Sequence, residues 1–106
     1  AGPFIFVSGQ LPLDLEGRVV GDDIREQTRR ALDNVAAVLR ASGASLDHLV
    51  SVTVYVSDID LWSEVNEVYA ECLAALEVPP ARAVVPTREL HYGAMIEISA
   101  IAYFPR

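Results

Sequence analysis

Two charged side chains stand inside apolar stretches of this sequence, where a charge needs a partner. Arg82 precedes the apolar residues 83–85, and Glu97 lies between Ile96 and Ile98. A guanidinium in such a place either pairs with an internal carboxylate or binds an anion through its forked donors. Glu97 either forms a salt bridge, with Arg82 as one candidate partner, or holds and activates a water molecule. The residues themselves leave both alternatives open at both positions.

Two further places could contact a ligand. Ser8 and Gly9 end the first apolar stretch, and a glycine lets a backbone N–H approach a ligand closely. The alternative there is a plain strand end with a bulge. Asn66 lies in a helical segment near the edge of its apolar stripe, where it is either a surface amide or a ligand-binding one.

Other catalytic signatures are not found. His48 and His91 lie far apart without ligand spacing, so no metal site is predicted. There is no glycine-rich phosphate loop or dinucleotide fingerprint, and spacing identifies no Ser-His-Asp set. The residues therefore single out Arg82 and Glu97, indicate no cofactor, and do not specify a reaction.

The elements that must position these residues follow from periodicity and capping. Strands are predicted at residues 4–8, 18–20, 50–57, 81–86 and 95–104, and a turn is predicted at residues 14–17, so that the first two strands form a hairpin with an irregular loop. Asp23, with Glu26 three residues later, is a typical helix N-cap with a carboxylate that can reach back, and Gly43 is a typical stop. Apolar residues recur at helical spacing between them, which predicts a first helix at roughly residues 23–42.

A second helix is predicted to begin at a cap formed by Asp60. Its apolar stripe runs from Leu61 to Leu76 and includes Cys72, which is therefore expected in the core. The pair Pro79-Pro80 prevents the helix from continuing.

The strand at residues 50–57 alternates valine with serine, threonine and tyrosine. The valine face is expected under the helices, and the other face could meet another subunit. The predicted order β-β-α-β-α-β-β indicates an α+β domain with two helices packed on one face of a mixed sheet.

Composition limits the classes of function. The 106 residues suit a single domain, and their 52% hydrophobic content suggests that some apolar surface packs against partner subunits. The net charge is −7, and all eight basic residues are scattered arginines, which argues against binding to nucleic acid or anionic membranes.

The expected location is the cytoplasm. Cys72 is the only cysteine, so no internal disulfide can form, and no signal peptide or membrane-length apolar run is found. The chain begins Ala1-Gly2-Pro3 rather than with Met, and we expect its N-terminal segment to be incomplete.

Six stretches, in order and in register, resemble the RidA/YjgF family, which is also labelled endoribonuclease L-PSP. They are FVSGQLP at 6–12, ALDNV at 31–35, VYVSD at 54–58, VNEVY at 65–69, PAR at 80–82 and IEISAIA at 96–102. The resemblance implies a chorismate-mutase-like fold and a homotrimer whose sheets form a central barrel, with clefts between neighbouring subunits. It also implies hydrolysis of 2-aminoacrylate and related enamines or imines to a 2-keto acid and ammonia, without a cofactor.

The resemblance also assigns roles to residues. Arg82 matches the family's carboxylate-binding arginine, and Glu97 matches the acid that positions the attacking water. Ser8 and Gly9 match the strand end that lines the cleft, and Asn66 matches a cleft amide.

Two positions depart from the family pattern. Val84 stands where the deaminase branch often has a cysteine, so the pocket is expected to be more apolar. The tyrosine that often closes the cleft near the N-terminus falls before this chain begins. The alternative function is a non-catalytic protein that binds a small carboxylate or a partner protein, and a ribonuclease is less compatible with the charge.

Overall fold

The computed structural model describes residues 2–105 and confirms the α+β class. Its elements are β1 (Phe4–Gln10), α1 (Ile24–Ala41), β2 (Leu49–Val56), α2 (Trp62–Cys72), β3 (Ala81–Pro86) and β4 (Ile96–Tyr103). The strands form one mixed sheet in the order β1-β4-β2-β3, with β2 and β3 parallel and the other pairs antiparallel. Both helices pack on one face of this sheet, as the sequence predicts.

The core lies between the helices and that face. It is built from alternate residues of the central strands, such as Val54 and Val56 of β2 and Ile96 and Ile98 of β4, all fully buried. The alternation places the intervening side chains on the opposite face, which we call the open face. Phe6 on this face is 62% exposed.

Helix α1 has the predicted ends. The side chain of Asp23 accepts a hydrogen bond from the backbone N–H of Glu26 at 2.8 Å, and Gly43 follows the helix with a φ of 85°. A positive φ is where glycine costs least, so Gly43 is a sound helix stop. Arg29 reaches across to Glu71 of α2 at 2.9 Å, which ties the outer surfaces of the two helices together.

The predicted strand at residues 18–20 is wrong. This segment makes only one bridge, between Leu13 and Val19. The predicted turn at residues 14–17 is confirmed, and Asp14 stabilises it by accepting hydrogen bonds from the backbone N–H groups of Glu16 and Arg18. Backbone bonds from Asp14 N–H to the Arg18 carbonyl at 2.9 Å and from Val20 N–H to the Pro12 carbonyl at 2.8 Å join the two sides of the turn without a regular second strand.

The expectation that Val50 lies under the helices is also wrong. The pairing of β2 with β4 shifts register between Leu49 and Ser51, which marks a bulge. Val50 is 43% exposed as a result, and Leu49 occupies the buried position at 5% exposure. Val52, Val54 and Val56 are buried as expected.

The start of the second helix differs from the prediction. Asp58, not Asp60, provides the cap: its carboxylate accepts from the backbone N–H of Asp60 at 2.9 Å and opens a short 3-10 turn at Ile59–Leu61. Helix α2 continues from that turn at Trp62 without a side-chain cap of its own and ends at Cys72. The stripe residues beyond Cys72 therefore lie in the turn that leads to β3.

Candidate functional site

Arg82 lies on the edge strand β3 and extends over helix α2. It pairs with Val52, whose side chain points into the core, so the Arg82 side chain is on the helix face of the sheet. Its Nη1 donates to Oδ1 of Asn66 at 3.0 Å. Its Cζ lies over the Trp62 ring at 4.6 Å from the ring centroid and over the Tyr69 ring at 4.8 Å. The guanidinium is therefore held by an amide and two aromatic rings.

The three residues that hold Arg82 come from one face of α2. Trp62, Asn66 and Tyr69 are spaced four and three residues apart, which is the spacing that stacks side chains along a helix. Trp62 is half-buried, Asn66 is exposed and Tyr69 is buried at 7% exposure. We call Trp62, Asn66 and Tyr69 the arginine cradle.

Burial raises the pKa of Tyr69, and the nearby Arg82 charge partly opposes that shift. The Tyr69 hydroxyl is buried and has no hydrogen-bond partner among residues 2–105. Tyr69 therefore presents Arg82 with a neutral ring and not with a phenolate charge.

Arg82 has no carboxylate partner within the part of the chain that the structure describes. Arg25 and Arg29 by contrast form ion pairs with glutamates of α2. The alternative in which Arg82 forms an internal ion pair, with Glu97 or another acid, is therefore wrong for these described residues. Its positive charge is available to an external anion, in a chain whose net charge is −7.

Glu97 lies on the open face of the sheet. It pairs with Tyr55 of β2, it is one residue from the buried Ile98 and so on the opposite face, and it is half-buried. Within residues 2–105 its carboxylate makes no hydrogen bond or salt bridge. A half-buried carboxylate without a protein partner is suited to bind water or a ligand proton.

Gly9 is packed directly against Glu97. The register of β1 against β4 shifts between Val7 and Gln10, so Ser8 and Gly9 form a bulge, the feature that the sequence left as an alternative to a ligand-binding strand end. A Cβ atom at residue 9 would overlap the Glu97 carboxylate. The absence of a side chain at Gly9 is therefore what allows the carboxylate to occupy this position.

Ser8 lies at the same bulge and is exposed. Its carbonyl oxygen accepts from Nε2 of Gln10 at 3.0 Å. The following loop is fixed to α1 by Asn34, whose Nδ2 donates to the carbonyls of Leu11 and Leu13, both at 2.9 Å. The bulge is therefore followed by a fixed loop.

The structure thus places the candidate residues in two groups. Arg82 and the arginine cradle lie on the helix face at the β3 edge, whereas Ser8, Gly9 and Glu97 lie at β1 and β4. Strand β2 separates β4 from β3, which puts their backbones about 10 Å apart at ordinary strand spacing, with Arg82 and Glu97 on opposite faces. One chain alone does not bring Arg82 and Glu97 together.

The sequence pattern does not mark Trp62 and Tyr69 as site residues. Tyr69 falls on the apolar stripe of α2, which predicts a core position. The available signal was the spacing of two aromatic residues on either side of Asn66, on one helix face.

Neither histidine belongs to a metal-binding cluster. Nδ1 of His48 accepts from the backbone N–H of Ser45 at 3.0 Å, and its ring packs edge-on against Phe104. Among residues 2–105 no three His, Cys, Asp or Glu side chains are arranged to hold a metal ion. None of the helices in this range is long and apolar enough to cross a membrane.

Sequence comparison identifies relatives that span most of the chain. A family model described as Endoribonuclease L-PSP matches residues 1–104. A RutC family protein of Pyrococcus abyssi is 47% identical over 103 residues, covering 96% of this chain and 80% of that protein. The mitochondrial protein mmf2 of Schizosaccharomyces pombe is 41% identical over 105 residues, covering 96% and 81%.

Solved structures share the fold over nearly the whole chain. The YjgF gene product of E. coli superposes with a TM-score of 0.90 at 36% identity, covering 96% of this chain and 81% of that one. E. coli TdcF, whose crystal structure contains bound serine, superposes with a TM-score of 0.89 at 32% identity, again covering 96% and 81%.

Proposed function

The chain belongs to the RidA/YjgF family, described as endoribonuclease L-PSP, and from this premise we propose that it hydrolyses small reactive enamines and imines to 2-keto acids and ammonia. The substrates in this proposal are of the 2-aminoacrylate type, with a carboxylate next to the C=N carbon. Arg82 binds the carboxylate, and Glu97 positions the attacking water.

The observation that carries the proposal is the unpaired charge of Arg82. Its guanidinium is exposed and oriented by Asn66, and in residues 2–105 it has no internal carboxylate to neutralise it. Such a group binds a carboxylate through two parallel N–H donors. The serine bound in the structure of E. coli TdcF is likewise a small molecule with a carboxylate.

The proposed reaction needs no covalent nucleophile. The methylene carbon of the enamine takes a proton from solvent, which gives the iminium ion. The oxygen of water then bonds to the iminium carbon, the C=N π pair moves to nitrogen, and Glu97 accepts one water proton and passes it to the nitrogen. The C–N bond breaks, ammonia leaves with the bonding pair, and the remaining hydroxyl proton returns to solvent as the C=O bond of the keto acid forms. Because an imine is already electrophilic, positioning supplies much of the acceleration.

The proposed site is formed between two copies of the chain. Arg82 and Asn66 come from one copy and Ser8, Gly9 and Glu97 from the next, since one chain keeps these groups apart. A homotrimer with its open faces turned inward provides such clefts. The exposed aromatic residues of the open face support this assembly, because a surface of this kind favours burial against a partner. They are Phe4 at 43%, Phe6 at 62% and Tyr103 at 44% exposure.

The second candidate is a carboxylate-binding protein that does not catalyse turnover. Val84 favours it, because an apolar side chain two residues after Arg82 contributes no donor or acceptor to a reaction. The ribonuclease in the family description is not part of the proposal, because a net charge of −7 with no lysine opposes binding to RNA. A location in the cytoplasm remains a proposal, since the relative mmf2 is mitochondrial.

The experiment is an assay of ammonia and keto-acid release from freshly generated 2-aminoacrylate and 2-iminobutyrate. Wild type is expected to accelerate release above the uncatalysed rate, and Arg82→Ala is expected to lose that acceleration while keeping its assembly state. Binding of pyruvate without acceleration by wild type would favour the non-catalytic alternative. Neither binding nor acceleration would overturn both functions.

A further inference from the structure

We propose that Trp62 and Tyr69 are positioning residues, which fix the direction of the Arg82 guanidinium so that it receives a carboxylate in one orientation. The inference rests on the proposed carboxylate-binding function of Arg82. It assigns a role in specificity to two aromatic side chains that would otherwise be regarded as parts of the core.

Three side chains of one helix, α2, contact the Arg82 guanidinium. A guanidinium on an exposed edge strand has many side-chain conformations, and holding it in one of them costs entropy. Here its Cζ lies 4.6 Å from the centroid of Trp62 and 4.8 Å from that of Tyr69, while Nη1 is bonded to Asn66. Three contacts from successive turns of α2 restrict both the position and the tilt of the guanidinium plane.

The two rings leave the charge of Arg82 uncancelled. Aromatic faces attract a guanidinium but do not neutralise it, and they leave its in-plane N–H groups free to donate. A carboxylate in the place of either ring would take up those donors. With only Asn66 accepting from Arg82 among the described residues, the remaining N–H donors stay available to a ligand.

The Trp62 and Tyr69 rings lie between the hydrophobic core and the Arg82 guanidinium. Tyr69 is 7% exposed and Trp62 is half-buried, so their positions are fixed by packing against the core cluster. Arg82 and Asn66 are exposed above them. The orientation of the arginine is therefore set by the core of its own chain, before any ligand binds.

The first test measures Arg82 without any ligand. In wild type, ring currents are expected to move the Arg82 side-chain NMR signals upfield of those of the other arginines. Trp62→Leu is expected to move them back toward ordinary values, whereas Trp62→Phe retains most of the shift. Arg82 signals that are ordinary in wild type, or unmoved by Trp62→Leu, would overturn the proposed positioning.

The second test measures binding of pyruvate by calorimetry. Trp62→Leu and Tyr69→Leu are each expected to weaken pyruvate binding about 3- to 30-fold, the range expected for one cation–π contact. Trp62→Phe is expected to recover most of the affinity. Val78→Ala, a truncation at a residue that is 77% exposed, serves as the matched control. Since Tyr69 is in the core, Trp62→Leu keeps the test valid if Tyr69→Leu does not fold.

The outcomes separate this inference from the proposed function. If wild type binds pyruvate and Trp62→Leu binds it equally well, the positioning role is wrong and the Arg82 site is retained. If wild type binds no pyruvate, or Arg82→Ala binds it as well as wild type does, the proposed site itself is wrong. If turnover is measurable, the loss in Trp62→Leu is expected mainly in KM, because the residue acts on carboxylate binding and not on the water.

Discussion

Arg82 donates Nη1–H to Oδ1 of Asn66 across 3.0 Å, so the cation of the site is held by a neutral amide and not by an acid. An amide and a carboxylate have nearly the same shape, but only the carboxylate would cancel the charge. The neutral side chain at residue 66 therefore leaves the positive charge of Arg82 uncancelled.

Replacing Asn66 with aspartate tests this relationship. Asn66→Asp is expected to pair with Arg82 and to weaken pyruvate binding about 10- to 100-fold, the scale of a hydrogen bond to a charged group. Calorimetric titration with pyruvate measures the effect. Asn66→Ala is the matched control and should lose less, because it removes the bond without adding a charge. Equal affinity of Asn66→Asp and wild type would contradict the account.

Gly9→Ala should reduce turnover through Glu97. The added methyl group would overlap the Glu97 carboxylate, whose flexible side chain must then move away from its position. We expect kcat to fall about 10- to 100-fold with little loss of stability, less than for removing a positioned acid or base, because the carboxylate is displaced and not removed. Steady-state assays of ammonia release measure this change.

The control for Gly9→Ala is a double-variant cycle. In a Glu97→Gln background, Gly9→Ala is expected to cost almost nothing further, because the group through which it acts is already impaired. Additive losses would mean that Gly9 acts on the site by another route, such as its backbone N–H.

The single tryptophan of the chain lies over Arg82, which provides an optical signal for the site. Pyruvate binding to the guanidinium changes the field at the Trp62 ring, and we expect a saturable change in its fluorescence. The change should disappear in Arg82→Ala. A titration with acetone, which lacks the carboxylate, serves as the control and should produce no saturable response.

Asp23→Ala should lower the free energy of unfolding by about 1 kcal/mol, the usual effect of losing an N-cap hydrogen bond. Its carboxylate accepts from the backbone N–H of Glu26 at 2.8 Å. Urea unfolding at matched protein concentration measures the loss. Asp22→Ala is the matched control, since Asp22 is exposed and makes no such cap. Equal destabilisation by both variants would show that the effect comes from losing a negative charge near the helix N-terminus and not from the cap.

Much of the fold could be predicted because local signals agreed with tertiary packing. The cap at Asp23 and the stop at Gly43 set the ends of α1. Local signals failed at residues 18–20, which form one bridge and no regular strand, and at Leu49–Ser51, where a bulge moves Val50 out of the core.

The candidate residues could be chosen from the sequence, but their arrangement could not be predicted from it. Arg82 and Glu97 stand out in the sequence because a charge within an apolar strand needs an ionic or hydrogen-bonding partner. Their separation depends on the order of four strands and on which face each side chain takes, and a shift of one residue reverses the face. Trp62 and Tyr69 were missed because aromatic residues at helical spacing are usually core.

The central claim is that the site joins Arg82 of one copy to Glu97 of the next, and subunit mixing tests it most directly. Arg82→Ala and Glu97→Gln are each expected to be nearly inactive in ammonia release. Unfolded together in equal amounts and refolded, they should regain about a quarter of wild-type activity. In a random mixture, about a quarter of the clefts have an intact Arg82 from one chain and an intact Glu97 from its neighbour. A mixture that stays as inactive as the separate variants, although native gels show mixed assemblies, would contradict the account.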